Sequence, residues 1–206
     1  ARKNPSRVRR IIFREIWTRP TLLNLSAGLM RQCQGLGLFE VGLAGGLLPH
    51  GFSLPGRLPR RPARAFLPET TPAAGKAITR VGYFLGCSTN FLYPEIARST
   101  VSVLSRLGCE VVLPGTLKCC GLPHLESGEV EAVGPMAFDN LAAFRRLGVD
   151  TVVSDCASCS AAIRELQAQK SFGEIKILDL SELLFGLLNS YGPGLKTVPK
   201  VVTYHD

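Results

Sequence analysis

The chain lacks a long apolar run. Its most hydrophobic stretch, Thr21 to Gly56, is interrupted by Arg31, Glu40 and Pro49, so nothing approaches the roughly 20 residues that span a bilayer. A cleavable leader is not expected either, because "ARKNPSRVRRIIFREIW" has charges but neither a clean apolar core nor a small-residue cleavage site. No strand-like segment runs into Gly-x-Gly-x-x-Gly, which excludes the dinucleotide fingerprint. The first 80 residues are poor in acid, with 14 Lys and Arg against 3 Asp and Glu, whereas residues 81–206 carry 10 against 13, a net +11 against −3. Such asymmetry is common in nucleic-acid binders. Here neither zinc-finger spacing nor an RNA-binding aromatic signature accompanies the charge, so no nucleic acid is expected as a partner. A basic arm that docks on an acidic protein partner, or lies on a membrane surface, accounts for the same composition.

What is present is globular. A chain of 206 residues with 46% hydrophobic and 19% charged side chains can bury a real core. Seven cysteines is an odd count on a chain too large to need stapling. That count argues for thiols or metal ligands in a reducing compartment rather than a disulfide framework.

Two short helical patterns open the chain, "PSRVRRIIFREIW" and "RPTLLNLSAGLMRQCQGL", with Pro20 suited to the first turn of the second. From Leu48 to Gly75 the composition turns to Pro, Gly and Arg, which reads as a connector lying over a surface. The expected division is therefore 1–75, a mainly helical, Pro-rich basic appendage, and 76–206, a cysteine-rich domain. In the second part strands "RVGYFLGC", "CEVVLPG" and "VDTVVSDC" alternate with helices over 93–108, 127–148, 158–169 and 178–192, and "KVVTYHD" reads as a further strand. Alternation of apolar strands with helices predicts a Rossmann-like α/β unit with a parallel sheet.

On that scaffold Cys87 ends the first strand, Cys119 and Cys120 follow the second, and Cys156 and Cys159 follow the third. All five are expected beyond the carboxyl ends of parallel strands, where open α/β sheets build their sites. Adjacent side chains on an extended segment point to opposite faces, so Cys119 and Cys120 are not expected to grip one ion as a Cys-x-x-Cys turn does. Several thiolates together point to a soft-ligand centre, zinc or an iron–sulfur cluster. Five are one more than a tetrahedral zinc or a cubane cluster uses. Cys33 and Cys109 are expected to be inert packing, and His124 either a ligand or a neighbour of the site.

The order Cys87, 31 intervening residues, Cys119-Cys120, 35 intervening residues, Cys156-x-x-Cys159 resembles the CCG, or cysteine-rich, domain. This domain occurs in heterodisulfide reductase and in the iron–sulfur subunits of glycolate and lactate oxidases. "CCGLPHLESGE", "DCASC" and "VGYFLGCSTNFLYPEIARSTVSVLSRLGCEVVLP" resemble the glycolate oxidase branch. The resemblance covers about residues 80 to 206 and implies one CCG repeat, with a second repeat cut off at its start. It further implies that Cys87, Cys119, Cys120, Cys156 and Cys159 hold a [4Fe–4S] cluster, in noncubane form in heterodisulfide reductase. The implied function is electron transfer in a flavin-linked 2-hydroxy acid oxidase, with an FAD-containing subunit as partner and a quinone-side or membrane-surface partner beyond it. The implied place is the cytoplasm, peripheral at the inner face of the membrane. The alternatives are a thiol–disulfide reductase subunit of the heterodisulfide type and a structural zinc module. The Cys-x-x-Cys-x-x-Cys runs of the ferredoxin-like module found in glycolate oxidase subunits do not occur in this sequence.

Overall fold

The computed structural model describes residues 10–38, 56–170, 175–191, 199–201 and 203. The chain forms β1 (Thr70–Thr71), β2 (Thr79–Tyr83), β3 (Cys109–Val112), β4 (Thr151–Ser154) and β5 (Lys176–Asp179). The helices are α1 (Pro20–Gly35), α2 (Cys87–Phe91), α3 (Pro94–Arg106), α4 (Leu122–Ser127), α5 (Val133–Arg146), α6 (Ala157–Lys170) and α7 (Leu180–Tyr191). A π-helical turn, Ile12–Ile16, precedes α1.

The strands make one sheet in the order β1-β3-β2-β4-β5, parallel throughout except for the β1–β3 pair. The expected Rossmann-like α/β unit is what forms. β2 is the pivot: the chain leaves it for β3 on one side, then crosses to β4 on the other. A reversal of strand order of this kind opens a crevice at the carboxyl ends of the central strands. The strands are short and buried on both faces, with Val81, Tyr83, Val111, Val112, Val152 and Val153 each no more than 1% exposed.

Local sequence explains where the elements begin and end. Pro20 and Pro94 open α1 and α3, where a missing N–H costs nothing. Gly108 and Gly148, at φ +82° and +65°, end α3 and α5 in left-handed turns that lead straight into the next strands. Gly82 has another role: a Cβ there would stand 2.5 Å from the Phe144 ring, so its absence lets α5 press against β2.

Three readings change. Thr70–Thr71, within the segment read as a connector, adds an antiparallel edge to β3, pairing with Val112 and Val111. Two residues carry no periodicity, so only the neighbouring edge reveals this strand. β5 has no separate signal because "KILD" runs directly into the α7 pattern. The strand expected at 200–206 is not formed at the described positions 200, 201 and 203, and Val201 is fully exposed with no strand beside it. The remainder of that segment, the first nine residues and 39–55 lie outside the described residues.

The basic first segment packs on the domain. Arg14 Nε meets Glu129 Oε2 at 2.5 Å, and Arg10 Nε meets Glu129 Oε1 at 3.5 Å. These guanidiniums, Arg14 foremost, hold the Glu129 carboxyl below its ordinary range. Phe13 stacks on Trp17 with centroids 4.9 Å apart, and both rings meet His124 edge to face. Gln34 grips the chain further on, donating to Gly56 O and accepting from Leu58 N. Among the described residues no helix is long and apolar enough to cross a membrane.

Candidate metal centre

Each of the three central strands ends in a short loop, and each loop delivers cysteines to the start of a helix. Cys87 opens α2 behind β2, Cys120 and Gly121 precede α4 behind β3, and Cys156 precedes α6, with Cys159 in its first turn, behind β4. Helix starts present free N–H groups. The backbone of Ser88 serves the Cys87 sulfur and that of Leu122 the Cys120 sulfur.

The five thiols are neighbours in a linked row: the side chains of Cys87 and Cys119, Cys119 and Cys120, Cys120 and Cys159, and Cys159 and Cys156 shift one another's ionisation. The adjacent pair Cys119 and Cys120 interacts through its side chains. Residues 117–120 are irregular rather than extended, so the alternation of a strand does not apply to them. All seven cysteines are free thiols. Among the described residues no three His, Cys, Asp or Glu side chains are arranged to hold a single metal ion.

Within the row the thiols differ. Cys120 receives hydrogen bonds from Cys119 and Cys159, which pull it down to about 3. Cys119 donates to Cys87 and brings it to about 7 against the opposing effect of burial. The donors Cys119 and Cys159 are pushed far up by the same bonds and by burial. The direction of these effects favours the ionised form at Cys120 and the protonated form at Cys119 and Cys159.

The loops are fastened by residues with no place in the cysteine pattern. Asn140, 1% exposed, accepts from Lys118 N at 2.7 Å and donates to Cys119 O at 3.2 Å and Lys118 O at 3.4 Å. Gly121 has φ +96°, and a Cβ on it would meet Val133 Cγ1 at 2.6 Å. Glycine is required there by the backbone turn and by α5 behind it. Gly86 admits the Cys159 sulfur, which would stand 3.2 Å from a Cβ at that position. Asp155 accepts from Tyr83 Oη at 2.7 Å and Thr89 Oγ1 at 3.2 Å, joining the β2 and β4 loops, with its carboxyl raised by burial. Ser154 adds a bond to Phe84 O and accepts one from Cys156 N.

Cys109 lies elsewhere. It starts β3, paired with Thr79 at the start of β2, at the opposite end of the sheet. Cys33 is on α1. His124 is fully buried beside the row; its Nε2 donates to Phe13 O at 2.9 Å, which leaves Nδ1 buried without a partner among the described residues. The Trp17 indole Nε1 is likewise buried and unpartnered. The pattern of aromatic residues in "RIIFREIW" reads as helix alone, so the capping of the site by Phe13 and Trp17 has no signal in the sequence.

Fold and site together define an α/β domain whose strand-end loops carry a five-thiol centre. Residues 81–164, which include all five cysteines, match the family model of the cysteine-rich domain named CCG. The chain is also similar to an uncharacterized iron–sulfur protein of Methanococcus maripaludis, 34% identical over 129 residues, or 62% of this chain and 24% of that one. It is similar to a CoM/CoB fumarate reductase subunit of Methanothermobacter marburgensis, 31% identical over 128 residues, 62% and 25% of the two chains. A third relative is a probable glycolate oxidase iron–sulfur subunit of Bacillus subtilis, 32% identical over 150 residues, 68% and 34%. The chain thus spans about a quarter to a third of the length of these relatives. No solved structure matches it significantly.

Proposed function

We propose that Cys87, Cys119, Cys120, Cys156 and Cys159 together hold one iron–sulfur cluster and that the domain serves electron transfer. The gathering of five thiols behind three strand ends, near enough to shift one another's ionisation, is the observation that carries this reading. The donor set fits: thiolates are the ligands of iron–sulfur centres, five exceed the need of one cubane, and an adjacent pair in mutual contact suits a noncubane [4Fe–4S] arrangement. The cluster would supply one-electron redox chemistry. The chain's own residues do the rest. Asn140 holds the backbone of the adjacent pair, Asp155 ties the other two loops, and Phe13, Trp17 and His124 form an aromatic cap beside the site. Burial and hydrogen bonds to sulfur are what set the potential of such a centre.

The relatives suggest the setting. By analogy with the glycolate oxidase iron–sulfur subunit, the partner is an FAD-containing oxidase subunit acting on a 2-hydroxy acid, and the electrons leave toward a quinone or another carrier at the inner face of the membrane. A second reading, a thiol–disulfide reductase subunit of the heterodisulfide type, draws on the relative that carries CoM/CoB in its name and on a cleft that opens on Cys87 and Cys119. Anaerobic purification with iron, sulfide and zinc analysis and EPR tests the proposal. Iron and acid-labile sulfide with an EPR signal support it; one zinc and no sulfide would replace it with a structural zinc module.

A further inference from the structure

Helix α1 has two unlike sides. Pro20, Leu23 and Asn24 line the cleft whose other walls include Cys87 and Cys119, so that side faces the thiols. Leu25, Leu29 and Leu36 stand away from it: at 3.6 residues per turn they fall within roughly 40° of one another and about 120–160° from Leu23. They are 69%, 63% and 74% exposed, with Met30 and Leu38 at 37% and 52%. Scattered exposed leucines are ordinary on a protein surface, but a continuous stripe of them on one helix marks an interaction face. The region also carries one sign of charge. Residues 17–38 and 56–68 hold six arginines and no Asp or Glu. Gln34 ties Gly56 and Leu58 to the last turn of α1, which sets Arg57 at the end of the leucine stripe, and Arg60 and Arg61 follow closely. All three are exposed. None forms an ion pair among the described residues, and Arg61 spends one donor on Ala65 O at 2.6 Å.

We infer that the exposed face of α1, together with Arg57, Arg60 and Arg61, docks on an anionic lipid surface, with the leucines at the boundary of headgroups and acyl chains and the guanidiniums on the phosphates. Lipid fits better than an acidic protein because the stripe is aliphatic throughout. Leu25, Leu29, Met30, Leu36 and Leu38 include no aromatic residue and no hydrogen-bonding anchor of the kind that fixes a protein interface. Aliphatic side chains bordered by unpaired arginines are sufficient for a helix lying in the bilayer interface. In that position α1 alone, roughly 10 Å across, separates the thiols from the lipid. Docking stands on the chain's own residues. Its purpose rests on the proposed electron transfer, since electrons leaving the centre would then reach a lipid-dissolved carrier past a single helix.

The test is cosedimentation of the anaerobically purified chain with vesicles of phosphatidylcholine alone and of phosphatidylcholine mixed with phosphatidylglycerol. The chain should sediment with the mixed vesicles, less with phosphatidylcholine alone, and less with either as salt is raised. Arg57→Gln, Arg60→Gln and Arg61→Gln should each weaken binding to the mixed vesicles about fivefold. Leu25→Glu combined with Leu29→Glu should weaken it by more than about tenfold, every variant being checked for native circular dichroism. No sedimentation with the mixed vesicles, equal binding to both compositions, or binding unchanged in the folded leucine variant would overturn the inference. Retention on immobilised polyglutamate without binding to vesicles would overturn it in favour of an acidic protein partner. Iron analysis of the same samples separates this from the cluster proposal: iron-free chain that sediments keeps the surface and removes the cluster, and iron-loaded chain that ignores every vesicle does the reverse.

Discussion

Cys109 and Cys120 lie at opposite ends of the same strand and its loop, and the fold treats them oppositely. Cys109, at the start of β3, is fully buried, and burial alone lifts it to about 11. Cys120, beyond the other end of β3, is almost as buried at 4% exposure, yet donors from Cys119, Cys159 and the Leu122 backbone bring it to about 3. Burial is common to both, so burial alone does not decide how a thiol ionises. Donors aimed at the sulfur do, and in a parallel sheet they gather where helix starts follow strand ends.

The strongest way to break this contrast is to exchange the serine probe between the two ends. Cys120→Ser should lose most of the bound iron and change the EPR signal, while Cys109→Ser should keep both and lose only about 1–3 kcal/mol of stability from a hydroxyl placed in an apolar site. Iron retention by Cys120→Ser and Cys119→Ser, with unchanged spectra, would reduce the site to a conventional four-thiolate centre. Gly121→Val comes next: a β-branched residue at φ +96° against Val133 should cost about 3 kcal/mol and show as a lower midpoint in urea denaturation. Asn140→Ala sharpens the comparison more gently, because it loosens the backbone at 118 and 119 without touching a sulfur. About 2 kcal/mol of stability and a shifted reduction potential are expected, with iron retained.

The smallest effect concerns pH. The folded Cys109 thiol ionises near 11 and the unfolded one near its ordinary value of about 9. Its contribution to stability is therefore complete below about pH 9 and is lost as pH rises toward 11. Cys109→Ala should flatten the alkaline decline in stability by on the order of 1 kcal/mol, read from urea midpoints between pH 8 and 10.5. An identical decline in the variant would assign it to other groups.

Much of this was legible in the residues. Short β-rich apolar runs marked β2, β3 and β4, glycines marked the helix ends, and the cysteine spacing placed five thiols after three strands. Periodicity could not show β1, whose two threonines become a strand only by pairing with β3, nor β5, whose four residues merge into α7. The course of the loop that carries Cys119 and Cys120 was hidden for a related reason: it is set by Asn140 and Gly121, which local periodicity does not register.

The sequence by itself determined which residues are thiols, their order along the chain and the α/β alternation that sends them to one edge, because those follow from composition and local periodicity. Only the tertiary structure decided that Cys120 lies between two donors, that Cys109 has none, and that Trp17 and Arg64 face one cleft from segments far apart in the chain. Hydrogen bonds and burial depend on distance in space, and local sequence patterns carry no record of which distant segments the packed core will bring together.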